Sequence, residues 1–274
     1  MKRDEPLVDF FKESDRKSIV AVWQRAFGDN ENYVNHFIDA SCADILVYRV
    51  DNVVVGMVSL LDIYVNGQKG GYIYALAVDK EYRNQGIATR LLSFAQEVML
   101  KKQYSFSVVV PEPYCSLEAF YKKLGFDCEL PLYKSAIQCN RVAGKATVVS
   151  VDKDEYYRVR TSQANTVIHS KKFFDYVYDD LISDGYQFLK IQNDCCEGYC
   201  VCVIRNDCAI IKEMLSMRYK DDFVGCICNF LNAEKATVIS NEGKNKHPFA
   251  LLKNFERKND TDLYANLLLD SFGG

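Results

Sequence analysis

Residues 81–92, Glu-Tyr-Arg-Asn-Gln-Gly-Ile-Ala-Thr-Arg-Leu-Leu, join an apolar run ending Leu76-Ala77-Val78-Asp79 to a segment in which Ile87, Leu91, Phe94, Ala95 and Val98 recur at helical spacing. The spacing predicts a helix from about Gly86 to Lys102, closed by Lys101 and Lys102 where positive charge suits the macrodipole. A glycine thus stands at the start of a helix, directly after a strand. The first amides of a helix have no intrahelical acceptor and carry partial positive charge, so such a start is a seat for phosphate. Gly86 removes the side chain that would hold an anion away, Ala88 keeps a neighbouring position small, and Arg83 adds a permanent cation. Taken alone, R-x-x-G-x-A reads first as a glycine easing a strand-to-helix turn. The phosphate loops G-x-G-x-x-G and G-x-x-x-x-G-K-[ST] are both absent.

Upstream, ILVYRV, VVVGMVSLLDIYV and GGYIYALAVD alternate with the turn pairs Asp51-Asn52 and Asn66-Gly67, which predicts three strands of an antiparallel meander. Before them, Ile19, Val22, Trp23, Ala26 and Phe27, then Tyr33, Val34, Phe37 and Ile38, mark two short helices broken at Gly28-Asp29-Asn30. Downstream, YSFSVVV is a β-branched strand ended by Pro111 and Pro113. SLEAFYKKLG is a short helix with Ser116 as cap and Gly125 as terminator, and FDCEL and LYKSAIQ return as strands.

After about Arg141 a similar order recurs. ATVVSV, YQFLKIQ, GYCVCVIR and CAIIKEMLS read as strands, SKKFFDYVYDDLISDG and FVGCICNFLNA as helices, and YANLLLD as a last strand. Asn206-Asp207 pairs with Asp51-Asn52 at an offset of about 155 residues, which predicts an internal duplication. The stretch of the second copy that faces residues 81–92, from Ser216 to Asp222, has no glycine.

The chain has 274 residues, 49% of them hydrophobic and 26% charged, with a net charge of −3. These values are those of a globular protein of one large or two ordinary domains, and they predict no nucleic-acid partner. The N-terminus is too charged for a signal peptide and no apolar run would cross a bilayer, so a cytoplasmic protein with no membrane partner is expected. There are 11 cysteines, expected to be free thiols. Cys195, Cys196, Cys200, Cys202, Cys208, Cys226 and Cys228 crowd the second half. No C-x-x-C pair occurs and His36, His169 and His247 lie far apart, so buried strand cysteines are preferred to a zinc site and no metal is expected.

Leu76-Ala77-Val78 ending in Asp79, then Arg83-Asn84-Gln85-Gly86-Ile87-Ala88 opening a helix, resemble the [QR]-x-x-G-x-[GA] acetyl-CoA signature of the GNAT N-acetyltransferase superfamily. Phe120-Tyr121-Lys122-Lys123-Leu124-Gly125-Phe126 resembles its second motif, in the right order, over roughly residues 10 to 140. The resemblance implies an α+β (α/β three-layer) chain of two tandem acyl-CoA N-acyltransferase folds, with mixed, mostly antiparallel sheets flanked by helices. Residues 1–140 would form the acetyl-CoA-binding domain and 141–274 a degenerate copy. The later strands of the meander would diverge from YSFSVVV, leaving a gap for pantetheine. The backbone of Leu76, Ala77 and Val78 would bond the pantetheine amides, and Arg83, Asn84, Gln85, Gly86, Ile87, Ala88 and Thr89 would hold the pyrophosphate.

Tyr121 matches the position that bonds or protonates the departing sulfur, although its spacing with Leu117, Phe120 and Leu124 is equally that of a core residue. The implied activity is acetyl transfer from acetyl-CoA, the co-substrate, to a primary amine of a small molecule, peptide or protein. A non-catalytic acyl-CoA-binding or regulatory module is the alternative, and a homodimer is left open. Relatives that place a Glu before the pyrophosphate loop differ here, where Tyr72-Ile73-Tyr74-Ala75-Leu76 holds no carboxylate. Asp62, a water or the chain's C-terminus is left for the base. PEPYCSLEAFYKKLGF, with Tyr114 where the family often has Asn, resembles the enhanced-intracellular-survival branch without its C-terminal domain. In that branch the C-terminal carboxylate enters the active site, which directs attention to Ser271–Gly274. Glu213 matches a strand position that holds catalytic carboxylates in active relatives. It is read here as vestigial, solvated, or a binder of a cationic acceptor.

Overall fold

The computed structural model describes residues 7–111, 117–139, 146–164, 166–194, 196–215, 220–240 and 245–255. The chain forms two compact units, Met1–Glu129 with Ala250–Asp260, and Leu130–Phe249 with Thr261–Gly274. The expected division at 140/141 therefore differs from the one observed, and the reason lies in strand pairing.

The first unit runs β1 (Leu7–Phe10), α1 (Arg16–Phe27), α2 (Glu31–Ala40), β2 (Asp44–Val50), β3 (Val53–Val65), β4 (Gln68–Val78), α3 (Ile87–Lys101), β5 (Phe106–Val109) and α4 (Leu117–Lys123). The second contains most of β6 (Cys128–Gln138), then β7 (Thr147–Ser150), α5 (Lys153–Thr161), β8 (Ile168–His169), α6 (Lys171–Ser183), β9 (Gln187–Gln192), β10 (Glu197–Arg205), β11 (Cys208–Leu215), α7 (Lys220–Leu231) and β12 (Lys235–Ser240). The last strand, β13 (Lys246–Asn254), begins in the second unit and ends in the first.

In the first unit β1, β2, β3 and β4 are antiparallel neighbours and β5 lies parallel to β4. Residues 251–254 of β13 then pair antiparallel with β5. In the second unit β7, β9, β10 and β11 are antiparallel, β12 is parallel to β11, and β6 pairs antiparallel with β12. The same six-strand order thus occurs twice, and in each the sixth strand comes from elsewhere in the chain. Residues 130–138 fall in the second unit because β6 pairs with β12, and 250–254 fall in the first because they extend the sheet beyond β5.

The repeat lies in a different register from the one expected. The β10–β11 turn at Asn206-Asp207 corresponds to the β3–β4 turn at Asn66-Gly67, not to Asp51-Asn52 in the β2–β3 turn. All of these turn residues have positive φ, as two-residue hairpin turns require, so turn chemistry alone could not tell them apart. Two further features align: β4 carries an extra residue opposite Val58, and β11 carries Lys212 as an extra residue at the same stage of its pairing.

Each sheet is buried against its helices. Leu46, Val58, Leu60 and Ile73 pack with Leu91, Ala95 and Met99 of α3 and with Tyr121 and Phe126, while Leu189, Ile191, Cys200, Cys202 and Ile211 pack with Phe223, Val224 and Ile227 of α7. The α1–α2 break forms as its residues dictate: Gly28 ends α1 at φ +84, and the Asn30 side chain accepts from the Tyr33 amide at 2.9 Å.

The expectation of free thiols is corrected at one pair. Cys139, just beyond β6, and Cys228, on α7, are joined by a disulfide with a Cα–Cα separation of 6.1 Å. They are 89 residues apart in sequence and meet because α7 leads into β12, the partner of β6. Cys200 and Cys202 are buried on β10 as expected. Among the described residues no group of three or more metal-ligating side chains occurs, and no helix is long and apolar enough to cross a membrane. The expected strand YANLLLD, the terminus Ser271–Gly274, Pro113, Tyr114, Ser116, Cys195 and Ser216–Tyr219 lie outside the described residues.

Candidate active site

β4 and β5 pair in parallel from Gly70 opposite Phe106 to Ile73 opposite Val109, and there β5 ends. β4 continues to Val78, bonded to β3 on its other side and, among the described residues, to no further strand. Between Tyr74 and Ala77 the strand bulges: Met57 faces Ala77, Ser59 faces Tyr74, and Ala75 and Leu76 share Val58. Ala75 has φ +50, rare for a residue with a Cβ. A bulge turns the strand, so the backbone of Leu76, Ala77 and Val78 faces an open edge where an extended chain bearing amides could add as a strand.

Beyond Val78 the chain makes one short turn and reaches Gly86, the N-cap of α3, at φ +78. Asn84, at φ 62, is also left-handed. Among the described residues the amides of Asn84, Gln85, Gly86, Ile87, Ala88 and Thr89 have no acceptor, and the first bond of the helix runs from the Arg90 amide to the Gly86 carbonyl at 3.0 Å. A Cβ at Gly86 would meet nothing within 4 Å, so this face of the loop is open. Arg83 is exposed and its Nε donates to the Val78 carbonyl at 3.0 Å, which ties the loop to the strand end and leaves its terminal nitrogens free of partners among the described residues. The Ala77 and Ile87 side chains are buried, so only their backbone could meet a ligand. Beside the loop lies a cavity of about 380 Å³, lined by Val22 and Ala26 of α1 and by Val78, Asp79, Lys80 and Arg83. Arg25 closes on Asp79 there through two bonds of 2.6 Å. The residues present therefore fit a thioester carrier with a pyrophosphate: a strand edge that, among the described residues, no further strand pairs, then consecutive amides with no acceptor among those residues and a cation at their margin.

Tyr121 is buried on α4 in the same apolar cluster as Ile87, with Leu76 and Val78 packed against that cluster. Its hydroxyl makes no hydrogen bond among the described residues, and burial pushes its pKa up to about 12. The Gly125-Phe126 pair explains how the residue is held. The Phe126 amide donates to the Tyr121 carbonyl at 3.2 Å and the Gly125 amide to the Lys122 carbonyl at 3.0 Å, with Gly125 at φ +88. That is a Schellman ending, and its usual apolar contact is made by the rings of Phe126 and Tyr121, 5.9 Å apart and edge to face.

Asp62 is not near this edge. It sits opposite Gly71, accepts from the Tyr104 hydroxyl and pairs with Lys69 at 2.7 Å, so it belongs to a surface network rather than to the open end of β4. Nor is Glu213 solvated. It is 2% exposed, accepts from Tyr156 at 3.0 Å and pairs with Arg160 at 3.2 Å, where both side chains are 1% exposed. Burial raises its pKa while Arg160 opposes that shift. A carboxylate held in this way is a structural group of the second unit. Among the described residues that unit shows no helix between β12 and β13, where α4 follows β5 in the first unit.

Residues 8–126 match the sequence model of the acetyltransferase (GNAT) family. A curated relative, N-alpha-acetyltransferase 30 of Schizosaccharomyces pombe, is 36% identical over 87 residues, which is 31% of this chain; the chain spans only 57% of that relative's length. Among solved structures, a probable N-acyltransferase from Enterococcus faecalis V583 aligns over 91% of this chain and 72% of its own with a TM-score of 0.73 at 14% identity. A tandem GNAT protein from the clavulanic acid biosynthesis pathway aligns over 93% of this chain and 100% of its own, with a TM-score of 0.56 at 12% identity. These likenesses show a fold shared along nearly the whole chain.

Proposed function

We propose, for a chain that carries a GNAT-family domain over residues 8–126, that it moves an acetyl group from acetyl-CoA to a primary amine by direct attack within a ternary complex. The observation that carries the reading is the open edge of β4 running into six consecutive amides, Asn84 to Thr89, that have no acceptor among the described residues. The backbone of Leu76, Ala77 and Val78 bonds the pantetheine amides, and Arg83 with the amides through Thr89 holds the pyrophosphate. The acceptor is a small-molecule or peptide amine, and the likeness to an N-alpha-acetyltransferase adds peptide α-amino groups to that class. The second unit has no glycine loop and, among the described residues, no counterpart of α4, so the first unit works alone.

The amine attacks neutral, its lone pair forming the N–C bond as the C–S bond breaks; its proton passes to water or a base, and the thiolate needs a donor. Tyr121 is that donor. With its pKa near 12, against about 8.5 for a thiol, complete proton transfer is uphill by about 3.5 units, or about 5 kcal/mol. A hydrogen bond held onto the departing sulfur is therefore its main contribution, and solvent completes the protonation.

Gly86→Asp tests the cradle. It places a carboxylate among the amides and a Cβ on a left-handed backbone, so coenzyme A affinity measured by calorimetry should fall on the order of tenfold to a hundredfold while the helical circular dichroism persists. Unchanged affinity would remove the pyrophosphate from this loop. Thiol release from acetyl-CoA should be seen with at least one acceptor in a panel of polyamines, aminoglycosides and peptide N-termini. Tight coenzyme binding with no release across the panel would favour a non-catalytic acyl-CoA-binding module.

A further inference from the structure

β13 reaches the first unit from the far end of the chain, and one of its side chains touches the end of the helix that carries Tyr121. Lys253 pairs across the sheet with Ser107 of β5 and shares a face with Leu251, which is buried in the cluster that contains Tyr121. Its Nζ donates to the Leu124 carbonyl at 2.7 Å and to Gln96 Oε1 of α3 at 2.9 Å. Leu124 is the residue at which α4 ends; its amide donates to the Tyr121 carbonyl at 2.9 Å. The lysine stem lies 3.3 Å from where a Cβ on Gly125 would be, and the ammonium stands 6.0 Å from the centre of the Phe126 ring. One cation thus ties the last carbonyl of α4, the α3 side chain facing it and the glycine-phenylalanine cap into a single clamp. Positive charge at a helix C-terminus is favourable, and a carbonyl beyond the Schellman bonds needs a donor.

We propose that Lys253 is a positioning residue for Tyr121, fixing the end of α4 so that the phenol is held toward the open edge of β4. The proposal rests on the reading of Tyr121 as the donor to the departing thiolate. Lys253 itself does not meet the substrate. α4 has only seven residues, too short to hold its own geometry in water, so an external clamp at its end decides where its side chains point.

The test is a double-mutant cycle in the full chain. Lys253→Met, which keeps the stem and removes the charge, should lower kcat on the order of tenfold with KM for acetyl-CoA changed by less than about twofold. Lys253→Arg should recover most of that loss. In a Tyr121→Phe background, Lys253→Met should cost less than about a further twofold, because the group it positions is gone. Fluorotyrosine incorporation gives a second readout: the resonance that disappears in Tyr121→Phe should shift or broaden in Lys253→Met without any coenzyme present. Full additivity in the cycle, or an unmoved resonance, would overturn the positioning role alone. A Tyr121→Phe variant with wild-type kcat would instead overturn the donor assignment on which it rests.

Discussion

Tyr121→Phe should lower kcat on the order of a hundredfold to a thousandfold and leave KM for acetyl-CoA within about threefold, because in the proposed mechanism it deletes one hydroxyl needed only as the C–S bond breaks. Phenylalanine fills nearly the same volume and keeps the edge-to-face contact with Phe126, so thermal unfolding should move little. The pH dependence adds a second check. Burial raises the phenol to about 12, so the hydroxyl stays protonated through the whole neutral range and activity dependent on it is lost only as pH rises past that value. The wild-type kcat profile between about pH 6 and about pH 10 should thus show no falling limb from Tyr121, and any rising limb reports the acceptor amine or its base. A falling limb near pH 8 that vanishes in Tyr121→Phe would contradict the environment described for this residue.

The other large effect concerns stability. Glu213→Ala or Arg160→Ala should each lower the unfolding free energy by about 3–5 kcal/mol in urea titrations, since each removes one member of a fully buried ion pair. Glu213→Leu combined with Arg160→Met should recover most of the loss, because an apolar pair of similar volume avoids the desolvation of both ions. A single substitution costing under about 1 kcal/mol would show that this site admits water and that Glu213 is not locked in a structural pair.

How far residues announced this arrangement depended on whether the cause was local. Gly86 and Asn84 are residue types that accept a left-handed backbone, and the Gly125-Phe126 pair is a helix ending in itself, so the backbone of both halves of the candidate site could be read in the chain. Ala75 could not: nothing about alanine suggests φ +50, and its bulge results from β4 having to stay on β3 while leaving β5. The same distinction explains the missed elements. β1 spans only four residues, and α5, Lys153–Thr161, is so polar that its inward face includes Arg160, which no apolar periodicity reveals; β12 and β13, of six and nine residues, are no shorter than β9, so length does not explain why they escape. Lys253 was invisible for a different reason, since its contacts lie 157 and 129 residues away in sequence. The repeat was legible as a repeat, but its register was not, because several hairpins carry interchangeable Asn and Asp turns.

The sixth strand of the first sheet is made of residues 251–254, and this sets a timetable for the protein's birth. In synthesis the glycine loop and Tyr121 emerge well ahead of residues 251–254, and the edge of β5 stays bare until those residues appear. The nascent chain must carry an unfinished sheet, exposed to wrong partners, over that interval. Gene fragments cut near residue 140 should therefore yield aggregation-prone products, whereas a circular permutation that brings 246–255 ahead of residue 7 would let the first unit close on itself early.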